Sequence, residues 1–363
     1  MYLLFFIIPL LLLIPVCVYM YFWFRRLFSL FPKLPGRARN ILSAVFAFFC
    51  AYVSWPMYRL GGMIMIHFLV VSILVDIIYK ILRKKTDKIS EKWDKVYRSG
   101  IISVVIVLGI ITYGFINMHQ VRETRYEITS DKVEDSLRIA AISDLHLGTN
   151  MDADRLSSYC NKIESGKPDV FVLAGDIFDE NTKKSEMQKA AKLFGSVKST
   201  YGTYYILGNH DPNSYVSRQE YSVEELCRTL EEARVAVLRD EVRNLEGLTI
   251  IGRQDASSAE RKGTKELAKE ADKENFILLL DHQPLELKGN AETPVDLQIS
   301  GHTHAGQIWP TGILMQLLGV SELNYGYEKI QNLNVIVTAG IGGWGYPIRT
   351  GKHCEYIMVD IHA

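Results

Sequence analysis

An α/β domain preceded by a four-helix transmembrane region is the fold class this sequence predicts. Two patterns carry the prediction. The first 118 residues hold four apolar runs, each near the ~20 residues a helix needs to cross a bilayer core. From residue 137 onward, short apolar runs alternate with amphipathic stretches, the pattern of a buried α/β sheet.

The apolar runs cover 2–24, 41–58, 61–82 and 100–118. The first lacks a basic start and a small-residue cleavage site, so it reads as an uncleaved span and not a secretion signal. Arg25-Arg26 follows it instead of preceding it, unlike a twin-arginine export signal. Arg25, Arg26, Lys33, Arg37 and Arg39 lie between the first two runs. Arg83, Lys84, Lys85, Lys88, Lys92, Lys95 and Arg98 lie between the last two. Positive residues favour the cytoplasmic side, so four spans place the following domain outside the cytoplasm, in a multi-pass protein of the cell membrane. Within the third run, Asp76 is expected to pair with Lys80 one turn on, and His67 to lie near the opposite interface.

Residues 119–136 read as a polar linker and 137–363 as one domain. Strands are expected at 137–142, 170–174, 203–207, 249–251, 276–280, 297–299, 335–338 and 356–361. Helices are expected at 152–164, 185–197, 223–233 and 265–273.

A chain of 363 residues has room for these two regions. Lys plus Arg and Asp plus Glu both number 41, so the basic excess of a nucleic-acid binder is missing. The five cysteines form no CxxC pair and no regular framework. Neither a zinc–thiolate site nor a disulfide scaffold is indicated, although a Cys160–Cys354 bridge stays open. Few charges within the apolar runs, and no repeat between them, argue against a transporter.

Polar residues cluster just after the expected strands. Asp144-Leu145-His146 follows the first, Gly175-Asp176-Ile177-Phe178-Asp179 the second, and Gly208-Asn209-His210-Asp211 the third. Asp281-His282 follows 276–280, and Gly301-His302-Thr303-His304 follows 297–299. Five of the nine histidines fall in these turns. Open α/β sheets bind ligands beyond the carboxyl ends of their strands. Imidazoles and carboxylates without thiolates suit zinc, iron or manganese. In an extended Asp144-Leu145-His146 segment the one-residue gap turns both side chains to one face, and the same spacing relates His302 to His304.

The motifs D-x-H, G-D-x-x-D, G-N-H, H and G-H-x-H, in that order, resemble the calcineurin-like metallophosphoesterase superfamily over about residues 137–361. The GHTHAGQ run at 301–307, and Pro347-Ile348-Arg349 after a glycine-rich run, are similar to its membrane-associated bacterial phosphodiesterase branch. The resemblance implies a four-layer αββα sandwich, two mixed sheets face to face with helices outside. It implies that Asp144, His146 and His304 bind one divalent metal, that Asn209, His282 and His302 bind a second, and that Asp176 bridges them. Manganese, iron or zinc would serve. It further implies that His210 is catalytic, protonating the leaving oxygen or stabilising phosphate charge, and that Asp179 orients it, with Asp211 the less favoured partner. Glu180-Asn181 stands where protein Ser/Thr phosphatases of the superfamily have Arg-Gly, which disfavours that subfamily.

The expected function is therefore a membrane-anchored, metal-dependent phosphoric ester hydrolase, a phosphodiesterase or pyrophosphatase, in which a metal-bound hydroxide attacks phosphorus. The bilayer is an expected partner, and a lipid-linked phosphodiester or pyrophosphate the preferred substrate. Arg349 contacts a phosphate or forms a structural salt bridge, and apolar residues 308–318 form a lip over lipid or pack in the core; both pairs of readings stay open. The alternative is a receptor module of the same fold that binds metal or a phospholipid headgroup with little catalysis. Loss of His210 or a metal ligand would signal it, and none is lost.

Overall fold

Long apolar sequence satisfies its backbone polar groups internally by becoming helix, and the first part of the chain does so. The computed structural model describes residues 2–55, 59–86, 89–216 and 218–363, with side chains from residue 11 onward except Leu12. It forms two compact units, Met1–Gly114 and Phe115–Ala363. The first contains α1 (Tyr2–Phe28), α2 (Gly36–Val53), α3 (Leu60–Lys85), α4 (Glu91–Ser99) and most of α5 (Ile101–Met118).

Among the described residues, two helices are long and apolar enough to cross a membrane, α3 and α5, where four were expected. Helix α2 opens on Gly36-Arg37-Ala38-Arg39-Asn40, which leaves too short an apolar remainder. The far end of the expected second span, residues 56–58, lies outside the described residues. Asp76 does not take Lys80 as its partner. It pairs with Arg26 and accepts a hydrogen bond from Tyr19 Oη at 3.0 Å, tying α3 to α1. A carboxylate on an apolar helix is costly unless a cation faces it, and Arg26 does. His67 Nδ1 lies 2.8 Å from the Met63 carbonyl of its own helix. The basic loop between the last two runs contains α4, capped by Ser90, with Tyr97 stacked on Tyr79 at 3.5 Å.

The second unit contains β1 (Val121–Thr129), β2 (Ser136–Ile142), α6 (Ala153–Ser165), β3 (Val170–Ala174), α7 (Lys184–Ser196), β4 (Thr203–Ile206), α8 (Val223–Glu232) and β5 (Val235–Leu238). It continues with β6 (Glu241–Asn244), β7 (Leu248–Gly252), α9 (Thr264–Leu267), β8 (Phe276–Leu280), α10 (Leu287–Asn290), β9 (Leu297–Ser300), α11 (Thr311–Leu317), β10 (Gly326–Ile330), β11 (Leu333–Val337) and β12 (Cys354–His362). Two six-stranded sheets result, ordered β1-β12-β2-β3-β4-β5 and β10-β11-β9-β8-β7-β6. Strands β2 to β5 run parallel, as do β7, β8, β9 and β11.

Period-two alternation on fully buried strands explains the layering. Ile139, Val172 and Ile206 face Ile250, Leu278 and Ile299 across the core between the sheets. The opposite faces pack outward. Phe171 and Tyr205 meet Leu156 of α6, Met187 of α7 and Leu226 of α8. Ile277 and Leu279 meet Leu267 of α9 and Leu287 of α10. The arrangement is the mixed α/β sandwich expected, with a thin fourth layer, because the helix predicted at 265–273 shrinks to α9.

The segment read as a linker is largely strand. β1 pairs in parallel with β12 from Val121↔Cys354 to Thr129↔His362. Its charged, mostly solvent-facing sequence suits an edge strand and hides it from a search for apolar runs. The short strands β5, β6 and β10 were likewise not anticipated. All five cysteines are free, so no Cys160–Cys354 bridge forms.

Candidate active site

Parallel strands bring their carboxyl ends to one edge, and the polar turns gather there. Asp144, His146 and His304 place one ligand-capable atom each within 4.8 Å of one another, and so do Asp176, His282 and His302. Each group takes residues from both sheets, since Asp144, His146 and Asp176 follow β2 and β3 while His282, His302 and His304 follow β8 and β9. Asp176 lies between the groups. Its Oδ2 is 3.0 Å from His282 Nε2 and 3.9 Å from His146 Nε2.

The turns are strained rather than extended. Asp144 (φ 51°), His146 (φ 46°), Asp176 (φ 53°), His302 (φ 70°) and His304 (φ 51°) all adopt left-handed backbone. The same-face argument for Asp144 and His146 therefore reaches the right pairing by the wrong geometry. Such strain persists where surrounding structure over-determines it, and it concentrates at functional sites. Two motif glycines permit the close approach. A Cβ at Gly208 would stand 2.2 Å from Asp176 Oδ1, and one at Gly301 would stand 2.2 Å from Asp144 Oδ2.

Polar contacts at Nδ1 set the direction of two of the rings. His282 Nδ1 lies 2.8 Å from the Ala174 carbonyl, which can only accept, so Nδ1 carries a proton and Nε2 is turned toward Asp176. His146 Nδ1 faces Asp179 Oδ2 at 3.2 Å, which turns its Nε2 toward Asp176. The His302 N–H donates to Asp144 Oδ1 at 2.9 Å, and the His210 N–H to Asp176 Oδ1 at 2.8 Å. Burial, followed by the neighbouring His282, pushes His302 down to about 4. Burial, then His146 and Arg349, holds His304 well below its usual value.

The donor set fits divalent cations on two counts. His146 Nε2, His282 Nε2, His304 Nδ1 and the Asn209 Oδ1 atom are buried without a hydrogen-bond partner. Asp144, Asp176, Asp179 and Asp211 are buried together, and among the described residues no Lys or Arg pairs with any of them. Buried anions without counter-charge are expensive. Burial raises the Asp144 carboxyl. Burial would raise Asp176 too, yet the imidazoles of His282 and His146 hold it far below the usual range.

The expected partner of His210 is corrected. Its Nδ1 lies 2.9 Å from Glu180 Oε1, while Asp179, one residue earlier, points to His146 and accepts from Thr149 Oγ1 at 3.2 Å. Consecutive side chains diverge in the turn, so only one can reach His210. Burial would lower His210, but the Glu180 hydrogen bond and the Asp176 charge raise it on balance. Arg349 is also corrected. It is fully buried and, among the described residues, makes no salt bridge; Nη1 donates to the His304 carbonyl at 3.1 Å and Nη2 to the Gly342 carbonyl at 2.7 Å. It braces the His304 turn from behind instead of facing a phosphate.

Three residues were missed by sequence reasoning. Glu180 is one. Gln307, the last letter of GHTHAGQ, donates to the Trp344, Tyr346 and Ile348 carbonyls and so fastens the glycine-rich loop. Asp211 is the third, considered before only as a partner for His210. Its carboxylate accepts from Asp176 N (2.8 Å), Phe178 N (2.9 Å), Gly208 N (2.6 Å) and the Tyr205 hydroxyl, locking two metal-motif turns together. Burial and the Asp176 charge push it up to about 6. Asp211→Ala leaves three buried N–H groups unmet at about 1–3 kcal/mol each. The expected result is a loss of several degrees in the thermal melt of the second unit, with Asp211→Asn intermediate.

Residues 137–306 match the family profile described as calcineurin-like phosphoesterase. An uncharacterized metallophosphoesterase of Helicobacter pylori is 28% identical over 251 residues, 67% of this chain and 65% of that protein, so the chain spans just under two thirds of that relative's length. One from Aquifex aeolicus is 28% identical over 267 residues, 71% of this chain and 97% of that protein. A transmembrane protein with metallophosphoesterase domain from Danio rerio is 28% identical over 275 residues, 71% of this chain and 62% of that protein. The second unit of this chain, with its motif turns gathered at one sheet edge, thus matches a calcineurin-like phosphoesterase domain over residues 137–306.

Proposed function

We propose that the protein is a membrane-anchored phosphoesterase that holds two divalent metals and hydrolyses phosphodiester or pyrophosphate bonds of lipid-linked substrates. The observation that carries this reading is the gathering of buried ligand atoms of His146, His282, His304 and Asn209 with buried carboxylates at one edge. Asp144, His146 and His304 would hold one ion, Asn209, His282 and His302 the other, with Asp176 shared. Manganese, iron or zinc suits these donors. When bound, the pair supplies Lewis-acid charge neutralisation on a phosphoryl group and lowers the pKa of water.

The remaining work falls to the chain's own groups. His210, in neither group, is assigned to protonating the leaving oxygen or stabilising charge on the phosphate. Glu180 holds its Nδ1, which leaves Nε2 available for that task. Asp179 acts one step back, fixing the His146 ring. The two carboxylates should therefore separate by experiment. Glu180→Ala is expected to slow kcat about 10-fold with metal content unchanged, whereas Asp179→Ala is expected to lower metal affinity by about 10–100-fold. Metal titration alongside turnover distinguishes them.

Anchoring is supported by α3 and α5 and by relatives with transmembrane regions. We assign α1 and α2 as further spans and the second unit to the extracytoplasmic side, from the basic loops at 25–39 and 83–98. The deciding experiment incubates purified, manganese-loaded protein with extracted membrane lipids and follows, by mass spectrometry, which species disappear. Metal-dependent loss of a phosphodiester or pyrophosphate lipid supports the reading. Two bound ions with no activity on any lipid or generic phosphodiester would favour a binding module.

A further inference from the structure

Residues 308–320 contain no acid or base, and α11 lies among them. The sequence left this stretch open between core and surface; exposure decides for surface. Trp309 is 67% exposed, Ile313 55%, Leu314 50%, Leu317 and Leu318 77% each, and Val320 59%. A contiguous apolar patch of this kind on a folded protein marks an interaction site.

The surroundings identify the occupant. The Trp309 N–H donates to Thr350 Oγ1 at 3.1 Å. On either side of Thr350, the carbonyls of Arg349 (3.0 Å), Gly351 (3.4 Å) and Lys352 (3.4 Å) accept from Asn117 Nδ2. Asn117 and Met118 are the last residues of the apolar helix α5; both are buried and both belong to this same unit. One short segment, 349–352, therefore holds both the end of a helix suited to cross a bilayer and the start of the apolar patch. A cleft of about 380 Å³ runs beside them, lined by Trp309, Ile313, Tyr325 and the exposed Lys352 among others. Trp at the edge of an apolar patch and a nearby Lys are the residue types that favour the lipid headgroup region.

We propose that the 309–320 segment is a bilayer-contacting lip, inserted into the membrane that α5 enters. The patch follows directly on the His304–Gly306 turn, so insertion would set lipid headgroups beside the histidine–carboxylate groups. The proposal concerns membrane contact and stands whether or not the site is catalytic.

The test uses the full chain in lipid nanodiscs, with and without brominated acyl chains. The fluorescence of wild type minus W309F isolates Trp309 from the other four tryptophans. That difference is expected to lose roughly half its intensity in brominated nanodiscs, as for an indole sunk about 5–10 Å past the headgroups. Leu317→Trp in the W309F background provides a second reporter on a highly exposed position and should behave the same way. Quenching at both positions supports the lip. Intensity unchanged at either position overturns it, including the case in which a second copy of the chain covers the patch and shields it from lipid.

Discussion

Asp176→Asn is expected to leave the fold intact, drop the purified protein below two bound metal ions per chain, and cut phosphodiester hydrolysis by more than about 10²-fold, beyond the range typical of groups that act behind a ligand. The reason is position and charge together. Asp176 Oδ2 is the carboxylate atom within 4 Å of rings from both groups, and Oδ1 accepts the His210 N–H. Its strong anionic character comes from imidazoles that overcome the cost of burial. The amide of Asn can keep the bond to His210 N–H but cannot offset two like charges held side by side. Elemental analysis and turnover on one sample check the result. Two ions per chain and an unchanged rate would remove Asp176 from the bridging role.

His210→Ala is expected to keep both metals and still lose about 10²-fold or more in kcat. His210 is edge-on to His146, with ring centroids 5.1 Å apart, yet its Nδ1 is committed to Glu180. A proton donor matters most when the departing oxygen is basic. The loss should therefore be larger for an alkyl phosphodiester than for a p-nitrophenyl one. Equal losses on both substrates would point to phosphate binding instead of proton transfer, and no loss on either would end the assignment.

The site was legible because its turns are local. Each motif needs only a strand, a tight turn and one or two side chains, and parallel strands carry the turns to a common edge without further information. Direction was not legible. Asp179 and Glu180 are neighbours in sequence, and which one reaches His210 depends on a turn whose dihedral angles no residue pattern dictates. Arg349 reads as a phosphate fork by composition, and only tertiary packing shows that carbonyls of His304 and Gly342 have taken its donors. Apolar runs revealed the central strands and hid the edges. β1 has Tyr126 and Ile128 two apart against the core, with charged residues between and before them, and an apolar-run search discards that alternation. The count of four spans is unconfirmed at α2 for the opposite reason, since the apolar run expected from residue 41 belongs to a helix that already starts at Gly36 and includes two arginines.

The pairing of β12 has a consequence for the order of events during synthesis. β12 lies between β1 and β2, parallel to one and antiparallel to the other. β1 has no other neighbour in its sheet, and β2 keeps one edge unpaired, until residues 354–362 have left the ribosome. The first sheet must wait for the chain's latest strand, even though β2, β3 and β4 are ready to associate beforehand. The turn bearing Asp144 and His146 follows β2 directly, so the metal-binding edge would mature only after translation has passed the last motif.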